Sequence, residues 1–251
     1  SKQMMPIYDK PMIYYPLSTL MLAGIRDILI ITAHNEKDNF RKLLGDGKNF
    51  GINIEYAEQK KPEGIAQSLL IGKDFINNSP IVLILGDNLF HGQNLINKLK
   101  NGFHKFNGST IFAYPVRDPE SYGIIEFDNN FKVLNVEEKP ENPKSMYAIT
   151  GLYFFDETAV ERAAILKPSI RGELEITDLI KSYLADKELN VELLGRGMAW
   201  LDTGTFDSLH QANDYIRALE SRQGLKISCP EEIAWRKKWI SDEELENLAK
   251  T

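Results

Sequence analysis

The chain has 251 residues, 43% of them hydrophobic and 26% charged, which is ordinary globular composition and excludes global disorder. The 30 Lys and Arg against 36 Asp and Glu leave a net charge of −6, which argues against a nonspecific nucleic-acid binder, whose affinity rests on neutralising phosphates. Cys229 is the single cysteine, so no intrachain disulfide forms, and the composition suits the cytoplasm.

Along the chain, the apolar run Met12 to Ile25 is too short to span a membrane. The opening residues, without a basic stretch followed by an apolar one, lead to the expectation of no secretory signal. Strands are expected at Asp27–Thr32, Ile52–Ala57 and Ile81–Leu85, the last apolar throughout as for a strand covered on both faces. Helices are expected between them at Glu36–Leu44, Ile65–Ile76 and Leu95–Phe106. That alternation predicts a mostly parallel, Rossmann-like mixed sheet flanked by helices. A β-rich insertion follows, with strands at Thr110–Val116, Gly123–Phe127, Lys132–Glu137 and Ala148–Phe155 and a turn at Asp128-Asn129-Asn130. Helices at Glu157–Leu166 and Leu174–Leu184, a strand at Asn190–Leu194, the run Met198–Leu201 and a helix at Phe206–Arg222 complete the domain. The tail from Pro230 reads as helical, with Trp235 and Trp239 on one face. The fold class is therefore α/β, with a domain over residues 1–227 and a helical appendage over 228–251.

Four segments carry candidate chemistry. Leu85-Gly86-Asp87-Asn88 ends an apolar strand, where open sheets bind ligands, although the same residues also make ordinary turns. Trp200-Leu201-Asp202-Thr203-Gly204-Thr205 places a second carboxylate after an apolar run, and Thr203 or Thr205 can cap the next helix. Asp87 and Asp202 stand 115 residues apart; if they meet, they form a two-carboxylate magnesium site with room for water and phosphate oxygens. Glu138 and Lys139 follow a strand and point to opposite faces unless the chain twists there. Arg171, just before an expected helix start, is either an anion ligand or an exposed arginine among its own glutamates. The four histidines and Cys229 show no metal or nucleophile spacing and read as structural.

Together and in order, the stretches SKQMMPIYDKPMIYYPLSTLMLAGIRDILII, LGDN, FAYPVRDPESYGIIEFD, VEEKP, YAITGLYFFD, KPSIRGELEITD and GRGMAWLDTGT resemble the bacterial glucose-1-phosphate thymidylyltransferases. The resemblance implies a single nucleotidyltransferase domain that makes dTDP-glucose and pyrophosphate from dTTP and glucose 1-phosphate, with Mg²⁺, at the head of a dTDP-rhamnose-type pathway. It implies that Gln59 and Gly64 read the base, although Lys60-Lys61-Pro62-Glu63 departs from the usual run there. It implies that Asp87 and Asp202 hold Mg²⁺ and that Tyr122, Gly123, Glu138 and Ile149 contact the sugar. It implies that Lys139 and Arg171 face the sugar phosphate and that Lys2 faces the nucleotide phosphates. It also implies a homotetramer with a second nucleotide site near His91, Gly92, Ser228 and Glu232, and no membrane or nucleic-acid partner. Family members carry a strand and a G-G-x-G-T-R-L loop some twenty residues before the position of Lys2, so the chain reads as a shortened form with an open central sheet edge. A catalytically silent sugar-nucleotide-binding protein is the competing expectation; a glycosyltransferase is less so, because Asp87-Asn88-Leu89 lacks the Asp-x-Asp pattern.

Overall fold

The apolar stretch near the start folds as a helix buried on nearly all sides. A computed structural model describes residues 1–104 and 107–250, with the side chain of His104 left aside. The chain forms two compact units: Ser1–Glu58, Ile84–Ile96 and the residues from Ala199 onward make the first, and Gln59–Leu83 with Asn97–Met198 the second.

In the first unit, β1 (Pro6–Ile7) and β2 (Lys10–Pro11) form an antiparallel hairpin, turned through Tyr8 in a left-handed conformation. Helix α1 (Tyr14–Ala23) follows and stops at Gly24, whose φ of 93° supplies the left-handed C-cap. The sequence shows no helical period here because Tyr15 through Met21 are all buried. Strand β3 (Asp27–Ala33) pairs with β4 (Asn53–Gln59), with α2 (Lys37–Leu44) between them in sequence, close to the expected bounds.

The second unit opens with α3 (Gln67–Ile71) and α4 (Lys73–Ile76). One helix is expected here; Gly72, with φ −84° and ψ 6°, interrupts it. Strand β5 (Ile81–Ile84) lies half-buried rather than covered on both faces, and among the described residues it pairs with β10 alone.

Strand β6 (Asn88–Gly92) returns to the first unit, and α5 (Leu95–His104) leads out of it. The expected end of that helix, Lys105 and Phe106, lies outside the described residues, as does Thr251 of the expected appendage. The remaining strands of the second unit are β7 (Ser109–Pro115), β8 (Gly123–Phe127), β9 (Val133–Glu138) and β10 (Tyr147–Phe155). Helices α6 (Ala159–Ala164) and α7 (Ile176–Ala185) precede β11 (Leu189–Leu193).

The sheet of this unit has the order β11-β7-β10-β8-β9, with β5 also on β10. Strand β11 runs parallel to β7, whereas β10 runs antiparallel to both β7 and β8, and β9 antiparallel to β8. The mixed sheet is thus antiparallel through the β-rich insertion. The β8–β9 turn closes as expected, with Asp128 Oδ1 accepting from Asn130 N at 2.8 Å and Lys132 N at 2.9 Å. The register of β10 against β7 shifts between Ile149 and Tyr153, a bulge that re-aims the side chains beside it.

Back in the first unit, β12 (Met198–Asp202) pairs with β6. Helix α8 (Phe206–Gln223) opens with a reciprocal cap between Thr205 and Ser208 and ends at Gly224. Its residues Ala212 and Ile216 pack with Ile7, Met12, Tyr15, Leu89 and Ile227 in one core cluster. Helices α9 (Pro230–Arg236) and α10 (Asp242–Leu248) follow. The two tryptophans do not share a helix face: α9 ends at Arg236, and Lys238 turns the chain with φ 59°. Trp235 Nε1 donates to Asp242 at 2.7 Å, while Trp239 lies under the Arg26 guanidinium and beside Gly51. No helix among the described residues is long and apolar enough to cross a membrane.

Candidate functional site

The two candidate metal carboxylates lie on segments tied directly together. Asp87 precedes β6 and Asp202 ends β12, and these strands pair. Thr203 donates to the Asp87 carbonyl twice, from its N–H at 3.1 Å and from Oγ1 at 2.8 Å. Of the two threonines that could cap α8, Thr205 does so and Thr203 clamps the carboxylate loops. A second link is buried beneath them, where Trp200 Nε1 donates to Asn88 Oδ1 at 2.6 Å. Asn88 Nδ2 in turn donates to Asp87 Oδ1 at 3.0 Å, and Lys2 Nζ reaches Asp87 Oδ2 at 2.6 Å. Asn88 and Trp200 thus orient the first carboxylate, a role their sequence context does not announce.

The donor chemistry fits a hard divalent cation. Two half-buried carboxylates supply charged oxygens, and among the described residues no third His, Cys, Asp or Glu completes an all-protein cage. Magnesium, which keeps several waters and takes phosphate oxygens, suits a set of this size.

In the second unit, three of the sugar-site candidates, Gly123, Glu138 and Ile149, gather around one point. Gly123 and Glu138 are register partners across β8 and β9. A Cβ on Gly123 would lie 3.2 Å from Glu138 Oε2, 3.5 Å from Ile149 Cδ1 and 2.9 Å from Thr177 Cγ2, so only hydrogen fits there. Thr177 is a residue the sequence reading missed. Its Oγ1 is buried and faces the Glu138 carboxyl, whose ionised form it favours. Arg171 Nη2 lies 3.6 Å from Glu138 Oε1, 3.6 Å from Glu173 Oε2 and 2.8 Å from Glu175 Oε2. It therefore sits among its own glutamates and on Glu138, a candidate for the sugar site, at once. Burial, and then the nearby Glu175, push the Glu138 carboxyl above its ordinary range, opposed by Arg171 and Lys139.

Tyr122 presents its carbonyl to Lys139 N at 3.0 Å. Lys139 has φ 42°, and this left-handed kink breaks the alternation that would otherwise send Glu138 and Lys139 to opposite faces. Its side chain is exposed.

The expected base-reading pair lies in the same unit. Gln59 ends β4, and its Nε2 donates to Gly64 O at 3.2 Å. Gly64 has φ 102°, and a Cβ there would meet Leu174 O at 2.3 Å. The loop is stitched to Leu174 on both sides, Leu174 N donating to Glu63 O and Ala66 N to Leu174 O. Backbone cannot yield to that overlap, so Gly64→Ala should lower the melting temperature by about 2–10 °C, from roughly 1–3 kcal/mol of strain. An unchanged thermal midpoint for this variant would show that the loop has more room.

The four residues expected at a second nucleotide site all belong to the first unit. His91 Nδ1 faces Tyr215 OH at 2.8 Å, and burial lowers its pKa. Gly92 ends β6, Ser228 has φ 53°, and Glu232 pairs with Arg236 on its own helix at 2.7 Å. His34 lies 3.0 Å from Glu58 and His210 3.7 Å from Asp214, both at exposed positions. The Cys229 thiol is pushed up to about 11 by burial and the adjacent glutamates, which leaves it unreactive.

The family model described as nucleotidyl transferase matches residues 1–218, so the fold is that of a nucleotidyltransferase. The glucose-1-phosphate thymidylyltransferase of Neisseria meningitidis serogroup A is 57% identical over 251 residues, covering 100% of this chain and 87% of the relative. That of Mycolicibacterium smegmatis is 54% identical over 250 residues, covering 100% of this chain and 86% of the relative. A Bacillus anthracis structure assigned to the same enzymes, solved in complex with a sucrose, superposes with a TM-score of 0.80 at 38% identity, over 86% of each chain. The chain belongs to the glucose-1-phosphate thymidylyltransferase family. That makes it a transferase of nucleotide-sugar biosynthesis, and the catalytically silent binding protein is not favoured.

Proposed function

We propose that the chain converts dTTP and glucose 1-phosphate into dTDP-glucose and pyrophosphate, in the cytoplasm and as a homotetramer. The observation that carries this reading is the 57% identity to the Neisseria meningitidis enzyme over the whole chain. Residues 1–227 would be the nucleotidyltransferase domain and residues 228–251 a helical appendage.

The sugar phosphate is already anionic at neutral pH, so its oxygen attacks the α-phosphorus in line without a general base, and pyrophosphate leaves opposite. Such a reaction asks for positioning and charge neutralisation. Asp87 and Asp202 would hold Mg²⁺, which supplies positive charge to the phosphate oxygens as charge builds there. Lys2 takes the nucleotide phosphates, Lys139 and Arg171 the sugar phosphate. Glu138 accepts from sugar hydroxyls, beside Tyr122, Gly123 and Ile149. His91, Gly92, Ser228 and Glu232 belong to a second nucleotide site through which dTDP-rhamnose inhibits.

The test is pyrophosphate release with dTTP, glucose 1-phosphate and Mg²⁺. Release that requires all three supports the reading, and no release overturns it. Gln59 and Gly64 read the pyrimidine, and thymine differs from uracil by one methyl worth about 1 kcal/mol when buried, so kcat/KM for UTP should lie within roughly tenfold of dTTP. No detectable UTP turnover at saturation would contradict that base-reading assignment.

A further inference from the structure

The Gln59 amide is held by two acceptors at once. Its Nε2 donates to the Gly64 carbonyl at 3.2 Å and to Gln67 Oε1 at 2.6 Å. Gln67, the first residue of α3, donates from its own Nε2 to Glu63 Oε2 at 2.6 Å. A backbone carbonyl accepts only, and so does an ionised carboxylate. Each end of the chain Gln59 to Gln67 to Glu63 is therefore terminated by a group that cannot donate, and the hydrogen bonds run one way. Reversing the Gln59 amide would set its oxygen against the oxygens of Gly64 and Gln67.

Both N–H bonds of Gln59 are thus spent, and what remains to the site is the Oε1 acceptor. Close by, Gly64 N–H donates to no described residue. An acceptor beside a donor matches the imide edge of thymine and uracil, where N3–H adjoins a carbonyl. Cytosine reverses both, with a lone pair at N3 and an exocyclic amine beside it.

We propose that Gln67, backed by Glu63, is a positioning residue that locks the Gln59 amide with its oxygen outward and so makes the site select imide pyrimidines over cytosine. This rests on the proposed reading of the base by Gln59 and Gly64. With Gln67 gone, the Gln59 amide keeps one fixed acceptor, Gly64 O, and gains freedom to turn toward either base.

The experiment compares kcat/KM for dTTP and dCTP by pyrophosphate release with glucose 1-phosphate and Mg²⁺. The unmodified chain should prefer dTTP by at least about 100-fold, since a site built to pair a polar edge rejects its inverse strongly. Gln67→Met, similar in size and without a hydrogen-bonding amide, should cut that preference by about tenfold or more while the thermal midpoint moves by no more than about 4 °C. The exchange Glu63→Gln with Gln67→Glu keeps the net charge and restores an acceptor-only group against Gln59, so its preference should return to within about threefold of the unmodified chain. A merely structural loss would lower both substrates together and leave the ratio unmoved.

An unchanged dTTP to dCTP ratio in Gln67→Met overturns the inference alone, and so does a folded exchange variant that loses the preference. An unmodified chain that turns over neither nucleotide overturns the functional reading and the inference with it.

Discussion

Asp87→Asn and Asp202→Asn should each lower turnover about 1,000-fold at fixed Mg²⁺, the scale of removing a preorganised charge from phosphoryl chemistry. The fold should survive both changes. Asp87 is held through its backbone carbonyl, which accepts from Thr203 N–H and Oγ1, and neither bond involves the carboxylate. The Trp200 to Asn88 hydrogen bond is likewise untouched. What Asp87→Asn does remove is the ion pair with Lys2, whose side chains are 22% and 35% exposed. A pair that open contributes no more than about 1 kcal/mol, so the melting temperature should fall by at most about 4 °C. Turnover across a magnesium titration, beside thermal melts, separates the two effects. Near-normal turnover in both variants would sink the metal assignment, and a collapse of the melt would assign the residues to structure instead.

The two aspartates illustrate what the sequence could and could not disclose. Asp87 sits in a segment that also reads as a turn and Asp202 in one that also reads as a helix cap, and their 115-residue separation says nothing about proximity. The structure joins them through Thr203, a residue that reads as a helix cap. The strands at 27–33, 109–115, 123–127 and 133–138 were legible because β-branched runs and alternation are local signals. Helix α1 was not, because residues buried on nearly all faces leave no period to read. Strand β6 was hidden behind the Leu85-Gly86-Asp87-Asn88 turn, and the antiparallel course of β10 depends on long-range pairing that no short window contains. Thr177, Asn88 and Gln67 share a reason for escaping notice. Each acts through contacts to partners whose positions only the folded chain sets.

Arg171→Met should raise the KM for glucose 1-phosphate by about 100-fold, because a charge-assisted contact to phosphate is worth roughly 1.5–3 kcal/mol. The same variant also strips a shared cation from Glu138, Glu173 and Glu175. Glu138 already ionises above its ordinary range, chiefly through burial and then Glu175, with Arg171 pulling the other way. Without Arg171 its pKa climbs further. The folded protein then holds the Glu138 proton still more tightly than the unfolded chain does. A carboxyl of this kind adds stability below the ordinary carboxylate range and loses it as pH rises through the raised value. The melting temperature of Arg171→Met should therefore fall further behind the unmodified protein at pH 8 than at pH 5. Arg171→Lys keeps the charge and gives up the two-pronged guanidinium, so it should follow the unmodified pH dependence of the melt while recovering only part of the sugar-phosphate affinity. The measurements are KM for glucose 1-phosphate at pH 8 and melts at both pH values. An unchanged KM in Arg171→Met would remove Arg171 from the sugar-phosphate site. A melting deficit equal at the two pH values would show that the Glu138 charge is balanced by other groups.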